Sequence, residues 1–183
     1  MIYHLSLRTA GFIAGAFLVL AGSPGLFRPE AMQLLAKRMP RSRLAGIVLL
    51  TIDLVWSFWL LFTMEMGEFS SFREPLLIAL PIGYFLTIRF VDEFLAVRAL
   101  GILCLLAAEP LLDAAFFRYE PSRLFVTVFA YLLVVAGLFW VTMPYLLRDQ
   151  IGWSARSSTR WRFVHGVAVG CGVLILAVAF TLY

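Results

Sequence analysis

Six apolar stretches fill almost the whole of this 183-residue chain, and nearly every charge falls in the gaps between them. An apolar run of about 18 residues or more crosses the hydrocarbon core of a bilayer, because an α-helix rises about 1.5 Å per residue and that core is about 30 Å thick. In such a solvent every backbone N–H and C=O must be paired inside its own segment, which leaves the helix as the form for each run. The sequence predicts an all-α polytopic bundle in one transmembrane domain. Its spans fall at about 9–26, 44–64, 75–90, 94–117, 124–147 and 163–183.

Composition agrees. Hydrophobic residues make up 62% of the chain and charged residues 14%, against roughly 25% charged in a soluble domain. A water-soluble fold is excluded. The net charge of +4 does not point to nucleic acid, because the basic residues sit beside apolar segments, where they meet anionic headgroups. Cys104 and Cys171 fall inside spans and read as small apolar residues, too few for a metal site of their own.

The start of the chain imitates a signal peptide: Arg8, an apolar run to Leu20, then Ala21-Gly22-Ser23. Five basic residues follow this segment and one precedes it, so the loop after it is expected inside and the segment is read as an uncleaved span. With the N-terminus outside, the inner segments hold Arg28, Lys37, Arg38, Arg41, Arg43, Arg89, Arg98, Arg148, Arg156, Arg160 and Arg162. The outer segments hold Arg8, Arg73, Arg118 and Arg123. This asymmetry places both termini on the non-cytoplasmic side. It requires a break between spans three and four, where Tyr84–Arg98 has neither Gly nor Pro; a tight hairpin at Arg89, Asp92 and Glu93, with Asp92 as a cap, is expected.

The first inner loop has a pattern of its own. Residues 29–39 open on Pro29-Glu30 and close on Lys37-Arg38, which suits the helix dipole, and set Glu30, Gln33 and Lys37 opposite Ala31, Met32, Leu35 and Met39. One amphipathic helix on the inner leaflet is expected. Lys37, Arg38, Arg41 and Arg43 there, with Trp153, Arg156, Arg160, Trp161 and Arg162 in the last inner loop, are the expected contacts with anionic lipid.

Ionisable groups inside spans cost at least about 2.5 kcal/mol on insertion scales and are functional candidates by default. Asp53 lies near the centre of span two, and Glu109 and Asp113 share a face of span four. Helix rise puts these, with Tyr84 and Tyr131, roughly 6–16 Å below the outer ends. The five form a candidate polar cluster, with Glu109 facing the bundle interior and at least one of Glu109 and Asp113 carrying its proton at neutral pH. The cluster suits a proton or cation site, or helix-to-helix hydrogen bonds. His165 stands beside Gly166, a setting that admits a flat porphyrin; with no second histidine in a span, neither a pigment nor haem is expected, and no cofactor or metal is assigned.

Gly11–Gly15 and Gly166–Gly170 are two GxxxG motifs that would let helices approach closely or dimerise the chain. Residues 15–26 also lie over 101–112 with Gly, Leu, Ala and Pro in register, which suggests an inverted three-plus-three repeat. The chain has no HExxH, GxSxG or paired-cysteine motif, and no catalytic residue is assigned. The first functional expectation is a non-enzymatic accessory or scaffolding subunit packing against other membrane helices, in hetero- or homo-oligomers. The alternative is a small proton- or cation-coupled transporter or channel using the intramembrane carboxyls. An intramembrane enzyme of unspecified reaction comes third.

Overall fold

A computed structural model describes residues 3, 5–91, 93–116, 118 and 120–182. Among them the regular structure is entirely helical, and six helices are long and apolar enough to cross a membrane. The long helices are α1 (Leu7–Phe27), α3 (Arg43–Thr63), α4 (Arg73–Phe90, preceded by a 3-10 turn at Gly67–Phe72), α5 (Leu95–Ala115), α6 (Leu124–Thr142) and α8 (Ser158–Thr181). The short ones are α2 (Pro29–Arg38) and α7 (Tyr145–Ser154). Local chemistry sets several of these starts. The hydroxyl of Ser6 accepts from Thr9 N–H at 3.1 Å and that of Ser42 from Ala45 N–H at 3.2 Å, each satisfying one of the free donors of a first helical turn. α2 begins on Pro29 and carries Glu30 in its first turn and Lys37 and Arg38 in its last, as its charge pattern predicts.

The break between α4 and α5 is a tight turn. Phe94 opens α5 from the left-handed region, at φ 57° and ψ 27°, a conformation uncommon for a bulky side chain. The cap assigned to Asp92 lies outside the described residues.

Two expected boundaries are corrected. The fifth span ends at Thr142 rather than running to 147, because Pro144 has no N–H to continue the ladder and pushes Met143 out of the helical region, to φ −126°. Residues 145–154 then form α7, so a second short helix stands where a plain loop was expected. The sixth begins five residues early, at Ser158.

Close packing follows glycine. α1 lies on α8, where a Cβ on Gly15 would stand 2.8 Å from the carbonyl oxygen of Gly172, and one on Gly172 would stand 2.8 Å from that of Gly15. α5 meets α6 at Gly101 and Gly137, and α3 meets α5 where Gly46 abuts Ala96 N. The second glycine motif expected to pack does not do so: Gly166 and Gly170 face open space, and Gly172 makes the contact. α5 is the central helix, touching α1, α3 and α6, and a core of Ala10, Ala14, Leu111, Ala114, Ala130 and Ile175 joins α1, α5, α6 and α8. α4 packs mainly on α3, with Tyr84 and Ile88 reaching the cluster of Leu50, Leu95 and Ala99, and has no buried residue among those described. An inverted repeat that pairs α1 with α8 would pair α5 with α4, and one that pairs α5 with α6 would pair α1 with α3. Neither second pair is closely packed, so the expected repeat is absent from the packing.

Candidate functional site

The positions Leu50, Asp53, Leu54 and Ser57 recur at the spacing of one helix face, and α3 turns that face toward α4. Across it stand Leu80, Gly83, Tyr84 and Thr87 of α4, with Ile102 of α5 at the back; the cleft holds about 280 Å³. Asp53 is 2% exposed, and neither carboxyl oxygen has a hydrogen-bond partner among the described residues. A buried carboxyl in this condition bears the full desolvation cost without a compensating bond. No cationic side chain lines the cleft among the described residues. Cys104 of α5 lies within electrostatic reach of Asp53.

Tyr84 does not fill the gap. Thr51 donates its hydroxyl proton to the Ile47 carbonyl at 2.7 Å, so the 2.9 Å bond between Thr51 Oγ1 and Tyr84 Oη must use the tyrosine proton. The phenol is left with acceptor capacity only, and an acceptor cannot satisfy a carboxylate.

Glu109 sits elsewhere. It lines a groove with Leu105, Ala108, Leu112, Asp113 and Val134, on the expected shared face with Asp113, but its residue is exposed rather than turned to the bundle interior. Its partner is Tyr3, which precedes α1. Trp56 Nε1 of α3 donates to Tyr3 Oη at 2.7 Å, and Tyr3 in turn donates to the Glu109 carboxylate. Burial pushes the Tyr3 phenol up to about 12; the Trp56 bond works against this and the Glu109 charge adds to it. The segment before α1 thus links α3 to α5. Tyr131 lies in a third depression, with Arg118, Arg123 and Thr127, and is 58% exposed. Of the five clustered candidates, the fold brings Asp53 to Tyr84 and Glu109 to Asp113, in separate places, with Tyr131 apart.

At the end where α1, α4 and α6 finish and α3, α5 and α8 begin, Lys37, Arg38, Arg41, Arg43, Trp153, Arg156, Arg160 and Arg162 are exposed, and Arg160 lies over the Trp153 ring at 5.2 Å. Trp161, expected as a boundary anchor, is instead buried. Its Nε1 donates to the Gly25 carbonyl at 3.0 Å, one of the free acceptors at the C-terminus of α1. The His165 ring packs 4.3 Å from Trp161 and against Gly25, where a Cβ would collide with it, and His165 Nδ1 donates to the Trp161 carbonyl at 2.9 Å.

Ser57 and Thr87 were missed by sequence reasoning. Ser57 follows Asp53 by four residues and was within reach of the same face rule; Thr87 depends on how α4 is rotated, which no local pattern fixes. Tyr3 lies outside any periodic segment and gave no signal. Among the described residues, no group of three or more His, Cys, Asp and Glu gathers as a metal centre. Comparisons with protein families, with curated proteins and with solved structures find no match to this chain.

Proposed function

We propose that this chain is a multi-pass integral membrane protein of the transport class, which takes a proton or a positively charged group at Asp53. One observation carries the reading: a buried carboxyl with neither oxygen partnered, at mid-length of a helix long and apolar enough to span, opening on a cleft. A carboxyl kept only for packing would be matched by a donor; one kept for a ligand is matched when the ligand arrives. The eleven basic residues at one end support a cytoplasmic placement of that end, against anionic lipid, and a non-cytoplasmic placement of both termini. The test is flux into proteoliposomes carrying an internal pH dye. Uptake driven by a pH or sodium gradient is expected from the wild type and not from Asp53→Asn; equal flux from both overturns the reading.

A second reading, an accessory subunit packing against other membrane helices, is favoured by α4. That helix has no buried residue and turns Ile78, Ile82, Phe85 and Phe90 outward. Co-purification from native membranes separates the two. A stoichiometric complex lost on replacing Ile82 and Phe85 by Ala supports the subunit role; a lone protein with Asp53-dependent flux supports transport.

A further inference from the structure

We propose that the cleft between α3 and α4 is a binding site for a small organic amine, held as its ammonium ion against Asp53. The inference rests on the reading that Asp53 takes a positive group, and names the class of that group. Three features of the cleft choose it.

The first is the missing donor. Asp53 presents two acceptor oxygens without a partner among the described residues, and Tyr84, a polar neighbour in the cleft, has given its proton to Thr51. Ser57 and Thr87 also line the cleft, yet neither hydroxyl bonds Asp53. A guest that brings its own N–H completes the site, and a charge-assisted bond to a carboxylate favours an ammonium.

The second is the wall. A dehydrated metal cation is held by about six oxygens. Here one carboxyl and the hydroxyls of Ser57 and Thr87 are set among Leu50, Leu54, Leu76, Leu80 and Ile102. Such a surface wets a hydrocarbon body and holds one polar head, the usual division in small-molecule sites.

The third is size and position. A volume of about 280 Å³ lies just below the range of about 300–1,000 Å³ usual for small-molecule pockets, so the guest is small. The outer wall is α4, which has no buried residue among those described and leaves Ile78, Ile82 and Phe85 exposed. An amine partitions into a bilayer in its neutral form. On meeting a protonated Asp53 it takes the carboxyl proton on nitrogen, leaving a carboxylate; an ammonium meeting the carboxylate gives the same pair. Among the described residues, the groups shown near Asp53 from the neighbouring helices are the Tyr84 phenol of α4 and the Cys104 thiol of α5, and neither side chain has a cationic form.

The experiment is equilibrium binding of radiolabelled benzylamine at pH 7 to the full chain in lipid nanodiscs, with uptake by empty nanodiscs subtracted. One site per chain is expected, at least tenfold weaker in Asp53→Asn, with benzyl alcohol bound no better by wild type than by the variant. Gly83→Leu provides an independent arm. Gly83 lines the cleft and a Cβ there meets nothing within 4 Å, so a leucine is accommodated without straining the helix and is expected to narrow the cleft. It should abolish benzylamine binding while leaving the infrared carboxyl band of Asp53 in place. Equal binding by wild type and both variants overturns the proposal. A carboxyl band that responds to pH or sodium while benzylamine does not bind overturns the amine and leaves the wider reading standing. A band indifferent to pH, sodium and benzylamine removes both.

Discussion

Gly101 and Gly137 face each other across the crossing of α5 and α6, so closely that a Cβ on either would stand under 3 Å from the other's carbonyl oxygen. The atoms in the way are backbone, which cannot step aside as a side chain can. Gly101→Leu or Gly137→Leu should lower stability by about 1–3 kcal/mol or more, since overpacking a close crossing forces the helices apart. Gly166→Ala and Gly170→Ala, which meet open space, should be neutral or mildly stabilising through helix propensity. Thermal unfolding in a mild detergent checks both. Equal losses at all four positions would contradict the crossing.

Tyr3 should act as a latch with a defined alkaline limit. Its phenol ionises near 12 in the folded chain and near about 10 when unfolded. The folded state therefore binds this proton more tightly. The stability involved is complete below pH 10 and is lost as pH rises through about 12. Tyr3→Phe should cost on the order of 1 kcal/mol at pH 8, discounted for partial exposure. The gap between the two unfolding curves should close above pH 10. Glu109→Gln should retain most of the stability, because an amide oxygen still accepts the Tyr3 proton. A gap that stays constant to pH 12 would show that Tyr3 does not titrate as described.

Asp53 should set stability against function. Asp53→Leu removes a desolvated carboxyl that has no bond to lose, and should raise stability by about 1–3 kcal/mol while abolishing gradient-driven flux. A variant less stable than wild type would mean that the carboxyl has a structural partner.

Topology reporters should read outside after Phe69 and after Glu120, and inside after Arg41 and after Arg156. The reason is the concentration of basic residues at the end shared by α2 and α7. An outside signal at Arg156 would break the alternation of the six long helices.

The six long helices could be read directly, because an apolar run long enough to span settles its own backbone bonding and needs no knowledge of its neighbours. The end of α6 was also legible in principle. Pro144 marks it, but Tyr145, Leu146 and Leu147 continue the apolar text and mask the stop. The sites were legible only in part. Helix rise places Asp53 and Tyr84 at matching depths, and the fold puts them on one cleft. The same rise gives Glu109 and Tyr131 similar depths, yet they lie in different depressions, because depth says nothing about the rotation of one helix against the next. Trp161 beside two arginines reads as a boundary residue. Its burial depends on the Gly25 carbonyl, 136 positions away in the chain.

The pairing of α1 with α8 joins the first of the six long helices described to the sixth. While the chain is being synthesised, Gly15 has no Gly172 to lie against until α8 is made, and the carbonyl of Gly25 waits 136 positions for Trp161. A contact so distant in sequence forms late and slowly. Closure of this seam waits for every helix between the two, and any interruption that removes α8 leaves its damage on α1, as an open seam.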